Sequence, residues 1–374
     1  MEPGEAAEGD FLFDVALLNF YDASHWRCVS VSIFREAGAE TRRRAAERFS
    51  PAAPPARPVY LVLDLDETLV SYFQGNLPPT PGFLLRPLPL GEDGAACVAL
   101  PNGAYDFLRE LAGLYRLKVS SMGSEAYVRA VVGLLDPGSA LLAPADVCSK
   151  PAEGRSKRLS AVGIDARSDD FFILDDSVCY WEGCDAMRDN LLFTKIFLHS
   201  PNAFNRDKLQ GYSLSRANPA CRLEAAHARL FLTSDEEPNA RLNALLRLLR
   251  ELHARIAANR RAYPSLAVLR SAARAMQETR GRLLTGVRLH VYTEHAGLRE
   301  VLLLVIELLG GRALDLLADG LVLLDRAELP ALAPRLRDMG VERAFDCACL
   351  FHGLFYAQPP PFAACELILS AAAV

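Results

Sequence analysis

VYLVLDLDETLV, residues 59–70, decides how the chain is read. Its first five residues form an unbroken apolar run, and a strand can dispense with a polar face only where both faces are covered, as in a parallel sheet flanked by helices. The run stops at Asp64, and Asp66 follows two positions later. Side chains two apart on extended backbone share a face, so both carboxylates can address one ligand. Carboxylates this close repel unless a cation neutralises them or one is protonated. Hard oxygens suit Mg²⁺, which keeps several waters and also grips phosphate. Open parallel sheets form their sites at the carboxyl ends of the strands. Two acids at such a junction also serve merely to solvate and cap it, so the segment alone leaves both readings open.

Upstream, PAAPPARP at Pro51 to Pro58 reads as a linker. Downstream, the spacing predicts a helix around Tyr105 to Leu114, a strand at Leu117 to Ser121 and a helix at Glu125 to Leu135. Strands FFIL at Phe171 to Leu174 and LLFTKIFL at Leu191 to Leu198 follow. Strands alternating with helices predict an α/β domain with crossover connections. FFIL runs out into a second acidic pair, Asp175 and Asp176. Two acidic pairs at two strand ends are expected to face one crevice. Ser121 ends its strand and can offer a hydroxyl to a phosphoryl oxygen, although a serine there also serves a turn. Lys157, with Lys150 as its competitor, can neutralise charge on the acids and on a phosphoryl group; an idle surface lysine is the plainer alternative for each.

At 374 residues the chain exceeds what one core organises, and 51% hydrophobic with 23% charged residues is the composition of a folded protein. The 41 Lys+Arg against 46 Asp+Glu give a net charge of -5, with no global positive field to draw nucleic acid. The run Arg42 to Arg44 reads as a solvated helix face. MEPGEAAEGDF lacks a basic and apolar leader, so the nine cysteines are expected to be reduced thiols inside the cell. Cys179 with Cys184, and Cys347 with Cys349, lack partners at zinc-finger spacing. Val301 to Leu324 is broken by Glu307, Arg312, Asp315 and Asp319, so no membrane span is expected. After about residue 220, NARLNALLRLLRELHARI places Leu242, Leu245, Leu246, Leu249, Leu252 and Ile256 on one face, with arginines on the other. Beyond Pro264 the order VRLHVYT, helix through Leu308, Gly310, Gly311, GLVLL predicts a small α/β module.

DLDETLV, the first serines of SSMGSEAYVRAVVGLLDP, Lys157 in SKRL, and FFILDDSVCYW resemble the FCP/SCP group of haloacid dehalogenase phosphatases, in particular its TFIIF-associated branch. The resemblance implies a haloacid dehalogenase-like Rossmannoid parallel sheet with flanking helices, plus a small BRCT-like α/β module. The domains would be an N-terminal segment and linker at 1–56, the phosphatase domain at 57–215, a helical connecting region at 216–275 and a divergent BRCT-like domain at 276–374. It also implies an activity, removal of phosphate from serine or threonine in the carboxy-terminal repeats of RNA polymerase II. Asp64 would be the nucleophile and Asp66 the acid and base, with Thr68 and Ser121 positioning the phosphoryl group and Lys157 balancing its charge. Mg²⁺ would be held by Asp64, the Asp66 carbonyl and Asp176, and Asp175 would orient Lys157 or a metal-bound water. The implied partners are the phosphorylated polymerase tail and TFIIF, in the nucleus, with no direct nucleic acid and no membrane.

The chain departs from the group in several places. Ser121 replaces the usual threonine, Leu100-Pro101-Asn102 replaces Arg-Pro-Gly, and Ser149-Lys150 replaces Ser-Arg. The last module lacks the usual tryptophan, with Leu350 and Phe351 near its place, and no lysine follows Lys208 to join Thr293 in holding a phosphopeptide. The module is therefore expected to bind protein without reading phosphate, or to brace the catalytic domain. Against the phosphatase stand a scaffold that keeps metal without turnover, a mitochondrial import receptor, which would need an anchor, and a small-molecule phosphatase, which would need a large cap after Asp66.

Overall fold

The computed structural model describes residues 57–75, 81–89, 96–150, 156–177, 180–184, 187–195, 197, 225–230, 238–262, 271–314 and 320–369. The first fifty-six residues, Cys179, Lys208, and Ile196 and Leu198 of LLFTKIFL lie outside the described residues. Arg57–Ala257 and Arg270–Val374 form one compact unit. Met1–Ala56 and Ala258–Leu269 form the other, whose described part is the helical stretch 258–262.

In the larger unit the chain runs through β1 (Val59–Leu63), β2 (Ser71–Gln74), β3 (Phe83–Pro87), β4 (Ala96–Pro101), α1 (Ala104–Ala112), β5 (Arg116–Ser120), α2 (Glu125–Leu135), β6 (Val147–Cys148), β7 (Asp170–Asp175) and β8 (Leu191–Phe193). Five of these strands make a parallel sheet in the order β6-β5-β1-β7-β8. The run VYLVL takes the central place its composition predicts, with Leu61, Val62 and Leu63 fully buried. The chain leaves β1 toward β5 and β6 and later returns on the other side as β7 and β8. The topological switch point therefore lies at the carboxyl end of β1.

Leu61, Leu63, Leu117, Val119, Phe172 and Leu174 point to one face of this sheet, where they pack with α1, α2 and two later helices, α3 (Pro238–Ala262) and α4 (Ser271–Arg280). Helix α2 begins where Ser124 accepts the Tyr127 N–H, and Asp136 closes its far end by accepting the N–H groups of Ala140, Leu141 and Leu142. Leu242, Leu245, Leu249, Leu252 and Ile256 of α3 are buried as the helical period predicts. Of the arginines expected on the other face, Arg247 and Arg250 are exposed, whereas Arg241 is 1% exposed.

Val62, Phe171, Ile173, Leu191, Phe193 and Trp181 point to the opposite face. There they share one apolar cluster with α5 (Ala296–Leu308) and α7 (Ala348–Tyr356), the helices that cover a second sheet. That sheet comprises β9 (Arg288–Val291), β10 (Arg312–Ala313), β11 (Leu321–Leu324), β12 (Ala344–Asp346) and β13 (Glu366–Leu367) in the order β10-β9-β11-β12-β13. Its first four strands are parallel and β13 is antiparallel, with α6 (Leu329–Asp338) between β11 and β12. The turn after α5 requires Gly310, whose φ is +76° and where a Cβ would stand 1.9 Å from the Gly281 carbonyl oxygen.

Two features differ from the sequence reading. β8 ends at Phe193, short of the predicted Leu198. Between the first acidic pair and α1 the chain builds an antiparallel sheet, β2-β4-β3, too small to be the large cap a metabolite enzyme would need. Among the described residues no helix is long and apolar enough to cross a membrane.

Candidate active site

Asp64 leaves β1 with its N–H bonded to the Leu174 carbonyl of the neighbouring strand, which fixes its side chain at the switch point. The next turn is tight. Glu67 has φ +58°, a left-handed conformation that costs a non-glycine residue about 1–2 kcal/mol. The turn is closed by the Glu67 N–H to the Val70 carbonyl and by the N–H groups of Leu69 and Val70 to the Leu65 carbonyl. Thr68 is thereby turned inward and fully buried, where its Oγ1 donates to Asp176 Oδ1 at 3.2 Å and accepts the Asp176 N–H at 3.0 Å.

From the next strand, Asp175 closes β7 with no exposure. Its Oδ2 accepts from Lys157 Nζ and from Trp181 Nε1, each at 2.7 Å, and its Oδ1 accepts the Ser177 N–H at 2.7 Å. Lys157, 3% exposed, also donates to Asp64 Oδ1 at 2.6 Å. Of the two candidate lysines, then, Lys157 occupies the site and Lys150 is exposed. Lys157 is set in place by backbone bonds in both directions, its N–H to the Tyr180 carbonyl and its carbonyl to the Glu182 N–H.

Carboxylate oxygens of Asp64, Asp175 and Asp176 lie within 4.8 Å of one another. Burial pushes the Asp64 carboxyl up to about 8, with Lys157 opposing the shift and Asp175 and Asp66 adding to it. Burial likewise raises Asp176 well above the ordinary carboxylate range, helped by Asp175 and Asp64. Burial works against the Lys157 ammonium, but Asp175 and Asp64 outweigh it and its pKa rises. One ammonium among three buried carboxylates leaves a charge deficit that a divalent cation would fill, and the donors are the hard oxygens such a cation takes. The fit is uneven. Asp175 already accepts three hydrogen bonds, which leaves Asp64 and Asp176 as the carboxylates best placed for a metal.

Asp66 stands slightly apart. Its carboxylate is held by Ser121 Oγ at 3.3 Å and by the hydroxyl of Tyr127, which no motif pointed to. Tyr127 lies in the first turn of α2 and is buried, and its ring crosses that of Tyr72 on β2 edge to face at 5.6 Å. Gly123 makes the approach possible, because a Cβ there would meet the Tyr127 ring at 2.5 Å. The buried Ser121 hydroxyl also accepts the Gly123 N–H at 3.0 Å. The structure thus gathers Asp64, Thr68, Lys157, Asp175 and Asp176 into one group and joins Asp66 and Ser121 as a pair at its edge. The sequence reading missed Tyr127 and Arg241, and it noted Trp181 only as a mark of resemblance.

A parallel sheet with its acids gathered at the switch point around one lysine places the chain in the haloacid dehalogenase-like class of folds. Residues 59–210 match the family model of the NLI interacting factor-like phosphatases. Among solved structures the chain is similar to the fission yeast RNA polymerase II CTD phosphatase Fcp1 with beryllium fluoride bound. Identity is 15% and the TM-score 0.57, over 83% of this chain and 96% of that chain. A structure of Fcp1 described as an essential RNA polymerase II CTD phosphatase gives 18% identity and a TM-score of 0.54, over 83% of this chain and 95% of that chain. At these identities the likeness is one of fold. No curated protein matches the chain.

Proposed function

We propose that the chain is a Mg²⁺-dependent protein serine/threonine phosphatase that works through an aspartyl-phosphate and acts on the phosphorylated carboxy-terminal repeats of RNA polymerase II. The observation that carries the chemistry is Lys157 Nζ lying 2.6 Å from Asp64 and 2.7 Å from Asp175, with Asp176 in the same cluster. Asp64 attacks phosphorus, forming a bond from its carboxylate oxygen as the bond to the serine oxygen breaks. Asp66 gives its proton to the departing oxygen, then takes one from the water that hydrolyses the acyl phosphate. Thr68 and Ser121 position the phosphoryl oxygens while Lys157 balances their charge, and Asp175 orients Lys157. Asp64, Asp176 and the Asp66 carbonyl would hold Mg²⁺, which when bound supplies positive charge to the phosphoryl oxygens.

The polymerase tail as substrate rests on the resemblance in the motifs and on what the similar structures act on, and nuclear location and a TFIIF contact follow from the same reading. Among the described residues the insertion after Asp66 is the small β2-β4-β3 sheet, which suits a peptide substrate better than an enclosed metabolite. The module after residue 276 fits a brace or a protein-binding surface that does not read phosphate. The Thr293 hydroxyl accepts the His295 N–H, and Glu328 accepts the Glu294 N–H. The purified chain with Mg²⁺ should hydrolyse p-nitrophenyl phosphate and a phosphorylated heptad peptide, and Asp64→Asn should abolish both. An unchanged rate in that variant overturns the mechanism. A wild-type chain that binds Mg²⁺ and hydrolyses neither compound would indicate a scaffold instead.

A further inference from the structure

A buried guanidinium needs its charge and its donors answered. Arg241, 1% exposed in α3, donates through one nitrogen to the Thr68 carbonyl at 2.5 Å and to Thr194 Oγ1 at 2.9 Å. Its guanidinium lies over the Phe197 ring, 4.9 Å from the centroid, and the Phe197 N–H donates to the Glu67 carbonyl at 2.5 Å. Two consecutive carbonyls of the turn that carries the nucleophile are therefore gripped from outside it, one by Phe197 and one by Arg241. The turn is the one that holds Glu67 at φ +58°, and such a conformation persists only where its surroundings over-determine it. On its inner side Thr68 Oγ1 clasps Asp176, donating to its carboxylate and accepting its N–H.

We infer that Arg241 is a positioning residue. Acting through Thr68, it holds Asp176 in register with Asp64 and so sets the affinity of the acidic cluster for a divalent cation. The catalytic consequence rests on the phosphatase reading above, whereas the cation affinity does not. Helix α3 lies outside the segment that matches the phosphatase family, so this part of the chain would supply a determinant of the site from beyond the domain.

The test uses the full chain. Mg²⁺ binding is measured by titration calorimetry, turnover of p-nitrophenyl phosphate at saturating Mg²⁺ gives kcat and KM, and circular dichroism monitors folding. Arg241→Met, similar in length and without donors, should bind Mg²⁺ roughly tenfold more weakly, the scale of one lost charge-assisted hydrogen bond. Its kcat should fall while KM stays unchanged, and Arg241→Lys should recover part of both losses. A folded Arg241→Met with wild-type Mg²⁺ affinity overturns the inference and leaves Arg241 a structural brace. Should Arg241→Met not fold, Arg241→Lys decides: weaker Mg²⁺ binding supports the inference and wild-type binding overturns it. If the wild-type chain hydrolyses nothing, the phosphatase reading falls, and the calorimetry still tests Arg241.

Discussion

Replacing Lys157 by methionine keeps much of the volume and removes the one ammonium in the acidic cluster. Lys157 is 3% exposed, and its partners Asp64 and Asp175 are 5% and 0% exposed, so solvent screens little of the loss. Removing one member of a buried ion pair costs about 3–5 kcal/mol, because the remaining charge is stranded. Asp175 keeps the Trp181 and Ser177 N–H donors, so the deficit falls on Asp64. Urea unfolding in EDTA at about pH 9, above the Asp64 pKa of about 8 so that this carboxylate is ionised, followed by circular dichroism and by tryptophan fluorescence, should show that loss at unchanged m-value. Asp64→Asn in the Lys157→Met background should then restore at least ~1 kcal/mol, since the stranded charge is gone. A single variant within about 1 kcal/mol of wild type, or a double variant no better than the single, would refute the reasoning.

Burial raises Asp64 from its ordinary 3.8 to about 8, so the folded, metal-free protein holds that proton more tightly than the unfolded chain does. The stability so gained is complete below 3.8 and is lost as pH rises through about 8. Thermal unfolding in EDTA should therefore show a Tm that falls between these limits, a slope that Asp64→Asn reduces, and a Mg²⁺-induced gain that grows with pH; a flat profile in EDTA contradicts the burial argument. Tyr127→Phe removes a hydroxyl that donates to Asp66 and should lower kcat by roughly tenfold at unaltered Mg²⁺ affinity; equal rates would show that the contact does not position the acid. Phe355→Ala, in the apolar cluster shared by the two sheets, should cost about 3–5 kcal/mol and bring activity and far-UV signal down in one thermal transition; two separate transitions would contradict a shared core.

What the sequence reveals most directly is what local pattern alone decides. VYLVL admits only a strand covered on both sides, and Ser124 starts α2 where its cap chemistry requires. The acids at the ends of β1 and β7 meet because parallel neighbours bring their carboxyl ends to one edge. The antiparallel β2-β4-β3 sheet escaped notice because prolines at 78, 79, 81, 87 and 89 punctuate it and mimic a loop. Arg241 escaped because helical periodicity sorts residues by polarity, and an arginine beside Leu242 reads as surface unless its distant acceptors are known. Tyr127 looked like an ordinary core aromatic, with nothing in its neighbours to show that its hydroxyl reaches Asp66. The shared core left a fainter trace. Helix α5 buries Leu298, Val301, Leu302, Leu304, Val305 and Ile306, too broad an apolar surface for one neighbouring layer.

The cluster joining Phe171, Ile173 and Phe193 to Leu302, Phe351 and Phe355 gives the two sheets a common fate. Shortening the chain before α5 would strip one side of the catalytic sheet to water, and grafting the last hundred residues elsewhere would leave them with an uncovered oily flank. Anything that bound there would stand at a fixed bearing to the acidic cluster, rather than swinging on a tether.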